Sequence, residues 1–265
     1  MTSERTINEG PARAGLRLSV TLLTVVPLRT GRADRETARW AMTLAPVAGL
    51  IPGAAAAVVL VAGGRLRFGS LVSAALAVAA MAAITRGLHL DGLADVADGL
   101  GGGRRPAEAL AIMKRSDIGP FGVIALALTL LIQVAALAEV HFVAAIVAAV
   151  TGRLAVTWAC REGVRAARTE GLGALVAGTV RTRDAVFATA AVVAASTLAG
   201  LAVWWLDDAD WRLAVLLPLA VAAGLAVATG ALRYVVRRLG GVTGDVLGAL
   251  VELAVTTALL IAAIG

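Results

Sequence analysis

Seven stretches of the chain, 40–63, 68–86, 119–138, 141–159, 185–206, 211–231 and 245–264, are dominated by apolar side chains and nearly free of charge. Each is about the 20 residues needed to cross a bilayer core of about 30 Å. Inside a bilayer every backbone polar group must be paired within the protein, which restricts runs of this kind to helices. Charged residues make up 16% of the chain, against roughly 25% in a soluble domain. The 29 glycines suit helices that approach one another closely in lipid. The expected fold is therefore all-α, a polytopic integral membrane helical bundle of about seven spans. The apolar run 18–28 is short for a span and lacks a following cleavage site, so it is read as an interfacial or re-entrant segment and not as a signal peptide. Residues 1–17 form an N-terminal cytoplasmic tail, and 18–265 a single transmembrane catalytic domain.

The connections alternate. Long basic ones (28–39, 87–118, 160–184, 232–244) hold most of the cations, among them Arg29, Arg32, Arg35, Arg104, Arg105, Arg181, Arg233 and Arg237. Short ones (64–67, 139–140, 207–210) carry Arg65, Arg67, Glu139, Asp207, Asp208 and Asp210. The positive-inside rule puts the long connections in the cytoplasm. The net charge of +6 is thus mainly a topological signal, and no nucleic-acid partner is expected. Arginine almost excludes lysine, with Lys114 the exception, which reads as a GC-rich bacterial coding bias.

The chemistry concentrates in His89-Leu90-Asp91-Gly92-Leu93-Ala94-Asp95-Val96-Ala97-Asp98-Gly99. On a helix, spacings of four and seven gather Asp91, Asp95 and Asp98 within an arc of about 60°. Like charges so placed repel unless compensated. Mg²⁺ is the economical compensation, since it takes carboxylate oxygens, keeps waters and is completed by substrate phosphates. The residues between are apolar, so the acids do not form an ordinary solvated face. His89 reads equally as a general base, a metal ligand or a structural histidine.

Other motifs share the long-loop side. Lys114, Arg115 and Ser116 precede the span that begins near Gly119, and they can hold phosphate oxygens or anchor the membrane. Arg161, Arg165 and Arg168 are spaced to share one helical face. Arg153 falls within an apolar span, so it should face the bundle interior or a polar cavity. Gly240-Gly241-Val242-Thr243-Gly244-Asp245 leads into the last span. Such a turn suits a phosphate cradle, with Thr243 and Gly244 at the substrate and Asp245 as a further metal ligand.

Together these residues resemble the cobalamin synthase family, the adenosylcobinamide-GDP ribazoletransferases. The motif from His89 to Leu100 carries the likeness. It is joined by Ile112-Met113-Lys114 with Gly119-Pro120-Phe121-Gly122, by Ala167-Arg168 with Gly171-Leu172-Gly173, and by Gly241-Val242-Thr243-Gly244-Asp245-Val246-Leu247-Gly248-Ala249. The pattern Leu22-Leu23-Thr24-Val25-Val26-Pro27 also fits, as does Pro46-Val47-Ala48-Gly49-Leu50, so the likeness runs from about residue 18 to the C-terminus. It implies an all-helical, multi-pass enzyme of the bacterial inner membrane that uses Mg²⁺. The implied reaction joins α-ribazole, or its 5′-phosphate, to adenosylcobinamide-GDP, giving adenosylcobalamin or its 5′-phosphate and GMP. On that resemblance His89, Asp91, Asp95 and Asp98 are expected to be catalytic, with Asp91, Asp95, Asp98 and Asp245 as metal ligands. Lys114, Arg115, Ser116, Arg153, Arg161, Arg168, Thr243 and Gly244 are expected at the substrate. One departure is Arg115, which stands where the family usually shows an acid. Two rival readings are a membrane phosphotransferase acting on CDP-alcohols, and an ion-coupled transporter, which calls for acids near mid-membrane and paired broken helices. A homo-oligomer is compatible with the sequence.

Overall fold

The computed structural model describes residues 10–29, 34–207 and 210–264. Most of the expected tail 1–17, together with Arg32 and Asp208, lies outside the described residues. Among those described, the secondary structure is helical with no named strand. The helices are α1 (Pro11–Leu23), α2 (Arg35–Thr43), α3 (Ala45–Arg65), α4 (Ser70–Ile84), α5 (Leu88–Gly101), α6 (Pro106–Ile112), α7 (Pro120–Glu139), α8 (Phe142–Ala159), α9 (Leu172–Val176), α10 (Thr182–Asp207), α11 (Leu213–Leu239) and α12 (Gly244–Ala262).

Six helices, α3, α7, α8, α10, α11 and α12, are long and apolar enough to cross a membrane. The helical membrane bundle is therefore as expected. The second expected span, 68–86, differs in detail. Its helix α4 stops at Ile84, and the chain turns through 89° into α5. Arg86 (φ +52°) and Gly87 (φ +67°) take left-handed backbone at the elbow, which no continuing helix accommodates. α4 alone is about 22 Å long at 1.5 Å per residue. The first expected span is also divided. α2 ends at Thr43, and α3 begins two residues on, with Pro46 in its first turn.

The run 18–28 is not one element. α1 starts earlier, at Pro11, and ends at Leu23. The chain then runs extended, and Val25 N–H donates to Ile84 C=O at 2.7 Å. α1 is about 20 Å long, too short to span and in keeping with a segment that does not cross.

α8 and α12 are the central helices. Ala144, Ala145, Ala148, Ala149, Ala155 and Ala159 of α8 are all buried, and such small side chains let neighbouring backbones close in. α10 lies at the periphery and turns Phe187, Leu198 and Trp205 outward, as suits a lipid-facing helix. α5 does not cross the bundle. It runs along the face with the long connections, over the first turns of α12 and α7. Gly92 of α5 lies against the Asp245 backbone, and Gly119 and Gly122 of α7 lie against the Asp98 carboxylate.

Candidate functional site

The first turns of α7 and α12 both rise toward α5, and each is engaged by an acid. At the α7 start, Gly119 N–H donates to Asp98 Oδ2 at 2.7 Å and Gly122 N–H to Asp98 Oδ1 at 2.9 Å. Helix N-termini leave unpaired N–H groups and carry partial positive charge, and Asp98 answers both. A Cβ on either glycine would overlap its carboxylate. Asp98 shares a face with Asp91 and Asp95, and each of its oxygens accepts one N–H from the α7 start. The structure therefore gives it a capping role, and each oxygen keeps a further lone pair.

At the α12 start, Thr243 is the N-cap. Its Oγ1 accepts from Val246 N–H at 3.2 Å and donates to Asp245 Oδ2 at 3.1 Å. α5 fits here because Gly92 has no side chain: a Cβ would come within 2.9 Å of Asp245 Cα. Gly92 interrupts nothing, and α5 is continuous through it.

Arg168 arrives from the 160–181 connection. Its three-to-four spacing with Arg161 and Arg165 predicts a shared helical face, and the structure shows no helix there. α8 ends at Ala159, Gly163 and Gly171 take positive φ, and the backbone bonds elsewhere. Val242 N–H donates to Arg165 C=O at 2.8 Å, and Ala167 N–H to Val242 C=O at 2.9 Å. This bridge ties the connection to the strand-like residues just before α12. Arg168 Nη1 then sits 3.7 Å from Asp245 Oδ2, while Nη2 donates to Leu110 C=O at 2.8 Å. Arg161 instead lies over the Trp158 ring at 5.5 Å, a cation–π contact outside the site.

Between α5, α12 and this connection is a cavity of about 310 Å³. Its walls include His89, Asp91, Arg168, Gly173, Thr243 and Asp245. Asp91 is exposed and Asp95 half-buried. Burial raises the Asp95 carboxyl to about 6, with the charges of Asp91, Asp245 and Asp98 adding to the shift and Arg168 opposing it. The acids thus sense one another. Among the described residues no three His, Cys, Asp or Glu side chains lie close enough together to hold one metal ion, so an ion bound here would draw most of its shell from elsewhere than the chain.

Below the cavity the bundle holds a polar cluster. Arg153 is 2% exposed, in the interior as expected, but it does not line the cavity. Its Nη1 donates to Ala149 C=O, and its Nη2 lies 3.3 Å from His89 Nδ1. Glu252 of α12 interacts with its charge, and Gln133 of α7 donates to Glu252 Oε2 at 2.8 Å and to Thr256 Oγ1 at 3.0 Å. Sequence reasoning missed Glu252 and Gln133. The signal was available: a carboxylate and an amide inside apolar spans, with a buried arginine needing a partner.

The structure brings together His89, Asp91, Asp95, Arg168, Thr243, Gly244 and Asp245. Lys114, Arg115 and Ser116 lie exposed on the turn between α6 and α7 and are not in the cavity wall.

A helical bundle of apolar spans, with carboxylates, an arginine and a capped helix start around one cavity at its end, defines a multi-pass membrane protein with a charged cavity. The family model described as cobalamin-5-phosphate synthase matches residues 15–263, and the chain belongs to that family. It is 45% identical over 263 residues to an adenosylcobinamide-GDP ribazoletransferase of Frankia casuarinae, covering 93% of each chain. It is 41% identical to one of a Nocardioides species, over 94% of this chain and 97% of the relative. A third, of Bradyrhizobium diazoefficiens, is 39% identical over 94% and 93% of the two chains. No solved structure matches the chain.

Proposed function

We propose that the chain is an adenosylcobinamide-GDP ribazoletransferase, acting at the cavity between α5 and α12. The observation that carries this reading is the meeting of Asp91, Asp95 and Asp245 with Arg168 at a capped helix start, in a chain alike to such transferases over 93% of its length. The substrates are adenosylcobinamide-GDP and α-ribazole or its 5′-phosphate.

The residues suit transfer at a pyrophosphate. One or two of Asp91, Asp95 and Asp245 would supply carboxylate oxygens to Mg²⁺. An open set of carboxylates fits that ion, which binds through one or two of them with substrate phosphates filling the rest. When bound, Mg²⁺ supplies charge neutralisation at the pyrophosphate. Arg168 gives planar donors to phosphate oxygens, and the α12 start adds backbone N–H groups and a favourable dipole. A ribazole hydroxyl attacks the phosphorus bearing the cobinamide. The new O–P bond forms as the diphosphate P–O bond breaks, GMP leaves with the electron pair, and the hydroxyl proton passes to His89 or to an aspartate. Positioning and charge neutralisation supply most of the acceleration.

The basic long connections support a cytoplasmic site on a bacterial inner membrane. A transporter with two broken helices finds less support, since the described residues hold a single bent pair. The test is GMP release from adenosylcobinamide-GDP by the purified protein in detergent, with each ribazole form, with and without Mg²⁺. Release that needs both ribazole and Mg²⁺ is expected. Near-normal turnover in Asp91→Asn would sink the metal assignment, and CMP release from a CDP-alcohol would sink the reaction.

A further inference from the structure

Arg153 is a donor only: its guanidinium carries five N–H groups and no acceptor. The 3.3 Å contact of its Nη2 with His89 Nδ1 therefore makes Nδ1 the acceptor. A neutral imidazole has one acceptor and one N–H nitrogen, so the proton sits on Nε2. His89 is 3% exposed, and Nε2 has no partner among the described residues. His89 is also a wall common to the 310 Å³ site cavity and to a smaller one of about 20 Å³ beneath it.

That smaller cavity is lined by Gln133, Arg153 and Glu252, from three different helices. Glu252 opposes the Arg153 charge, and Gln133 fixes Glu252 from α7. With Nη1 on Ala149 C=O, Arg153 is held on its own helix and faces the Glu252 charge across the small cavity. The arrangement has the logic of a buried carboxylate that orients a histidine, here passed through an arginine.

We infer that His89 serves the transfer as a neutral hydrogen-bond donor through Nε2–H, held in that tautomer by Arg153, with Glu252 and Gln133 as the residues that position Arg153. The inference rests on the transferase reading for its substrate, and it removes His89 as general base. Nδ1 is occupied and Nε2 already carries its proton, so neither nitrogen can take the hydroxyl proton, which goes to a carboxylate of the cluster. Since His89 lines the site cavity and Nε2 is enclosed without a partner among the described residues, a pyrophosphate oxygen seated against this wall would give Nε2–H its acceptor, where negative charge grows as GMP departs.

The chain has two histidines, His89 and His141. In His141→Asn the α8 N-cap keeps a side chain that caps well, and one imidazole remains. Nitrogen NMR on this protein, labelled in histidine, should show a pyrrole-type Nε2 and a pyridine-type Nδ1. A pyrrole-type Nδ1, or two pyrrole-type nitrogens, overturns the inference. This readout needs no substrate, so it stands even if no GMP forms and the transferase reading fails. In the kinetic arm, His89→Gln keeps an amide donor but cannot accept the proton, and should retain about ten-fold more kcat than His89→Phe. Equal loss in the two variants overturns donor catalysis. Glu252→Gln should lower kcat with little change in KM and spread His89 over both tautomers. A lower melting temperature with an unchanged His89 spectrum would overturn the positioning role.

Discussion

Asp98 of α5 and Gly119 of α7 are joined by a 2.7 Å bond from the Gly119 N–H to the carboxylate. This bond, with its companion from Gly122, fixes where α7 begins relative to the acidic helix. Asp98→Ala removes both acceptors and should destabilise the protein by about 1–2 kcal/mol, read as an earlier midpoint in detergent thermal unfolding. Asp98→Asn keeps one acceptor and should lose less. If Asp98→Asn instead keeps full stability and loses Mg²⁺ affinity as Asp91→Asn does, the capping role is wrong.

Proton and metal should compete at Asp95. Its carboxyl is raised to about 6 by burial and by the neighbouring acids, and a metal requires the ionised form. Mg²⁺ affinity should therefore weaken as pH falls through about 6. Without metal the sign reverses for stability. The folded protein holds this proton more tightly than the unfolded chain, so the group's contribution is full below the ordinary carboxylate value and is lost as pH rises through about 6. Melting curves with and without Mg²⁺ across that interval check both trends. Parallel curves would contradict the competition.

Arg168 has one terminal nitrogen on Leu110 C=O and the other near Asp245. Lysine keeps the charge but lacks the planar fork whose two terminal nitrogens reach Leu110 and Asp245 here. Arg168→Lys should raise KM for the GDP-activated substrate about ten-fold, with less effect on KM for ribazole. Steady-state kinetics with each substrate varied separates the two, and an equal rise in both would place Arg168 elsewhere in the mechanism.

Gly92→Ala sets a methyl against the Asp245 backbone. Overpacking of this kind costs about 1–3 kcal/mol, and it acts by parting α5 from α12. Both the melting temperature and Mg²⁺ affinity should fall together. A stable variant with intact affinity would show that the two helices are free to separate.

Much of this was legible in the sequence, and the gaps have physical causes. The spans follow from hydropathy because the bilayer fixes helix length. Asp91, Asp95 and Asp245 stood out as charges beside apolar runs. The capping role of Asp98 is not legible, because helical phase records direction but not what lies opposite, and its partner is the start of another helix. Arg161, Arg165 and Arg168 resembled a helical face because three-to-four spacing ignores competing backbone partners, here Val180 and Val242. The α4–α5 elbow depends on positive φ at Arg86, and arginine gives no local sign of it. Glu252 and Gln133 are lone polar residues in long apolar runs; Glu252 answers the buried charge on Arg153, and Gln133 bonds Glu252 from another helix.

The bridge between Ala166 and Val242 is made by main chain on both sides. Arg168 is thus delivered by counting residues from that bridge, and side-chain identity along the way matters little. Such a segment tolerates substitution but is unforgiving of length. One residue inserted between Ala166 and Arg168 would carry the guanidinium off Asp245, while most replacements of Arg165 or Ala167 would leave it in place. An insertion scan set beside a substitution scan would trace the segment as a ruler.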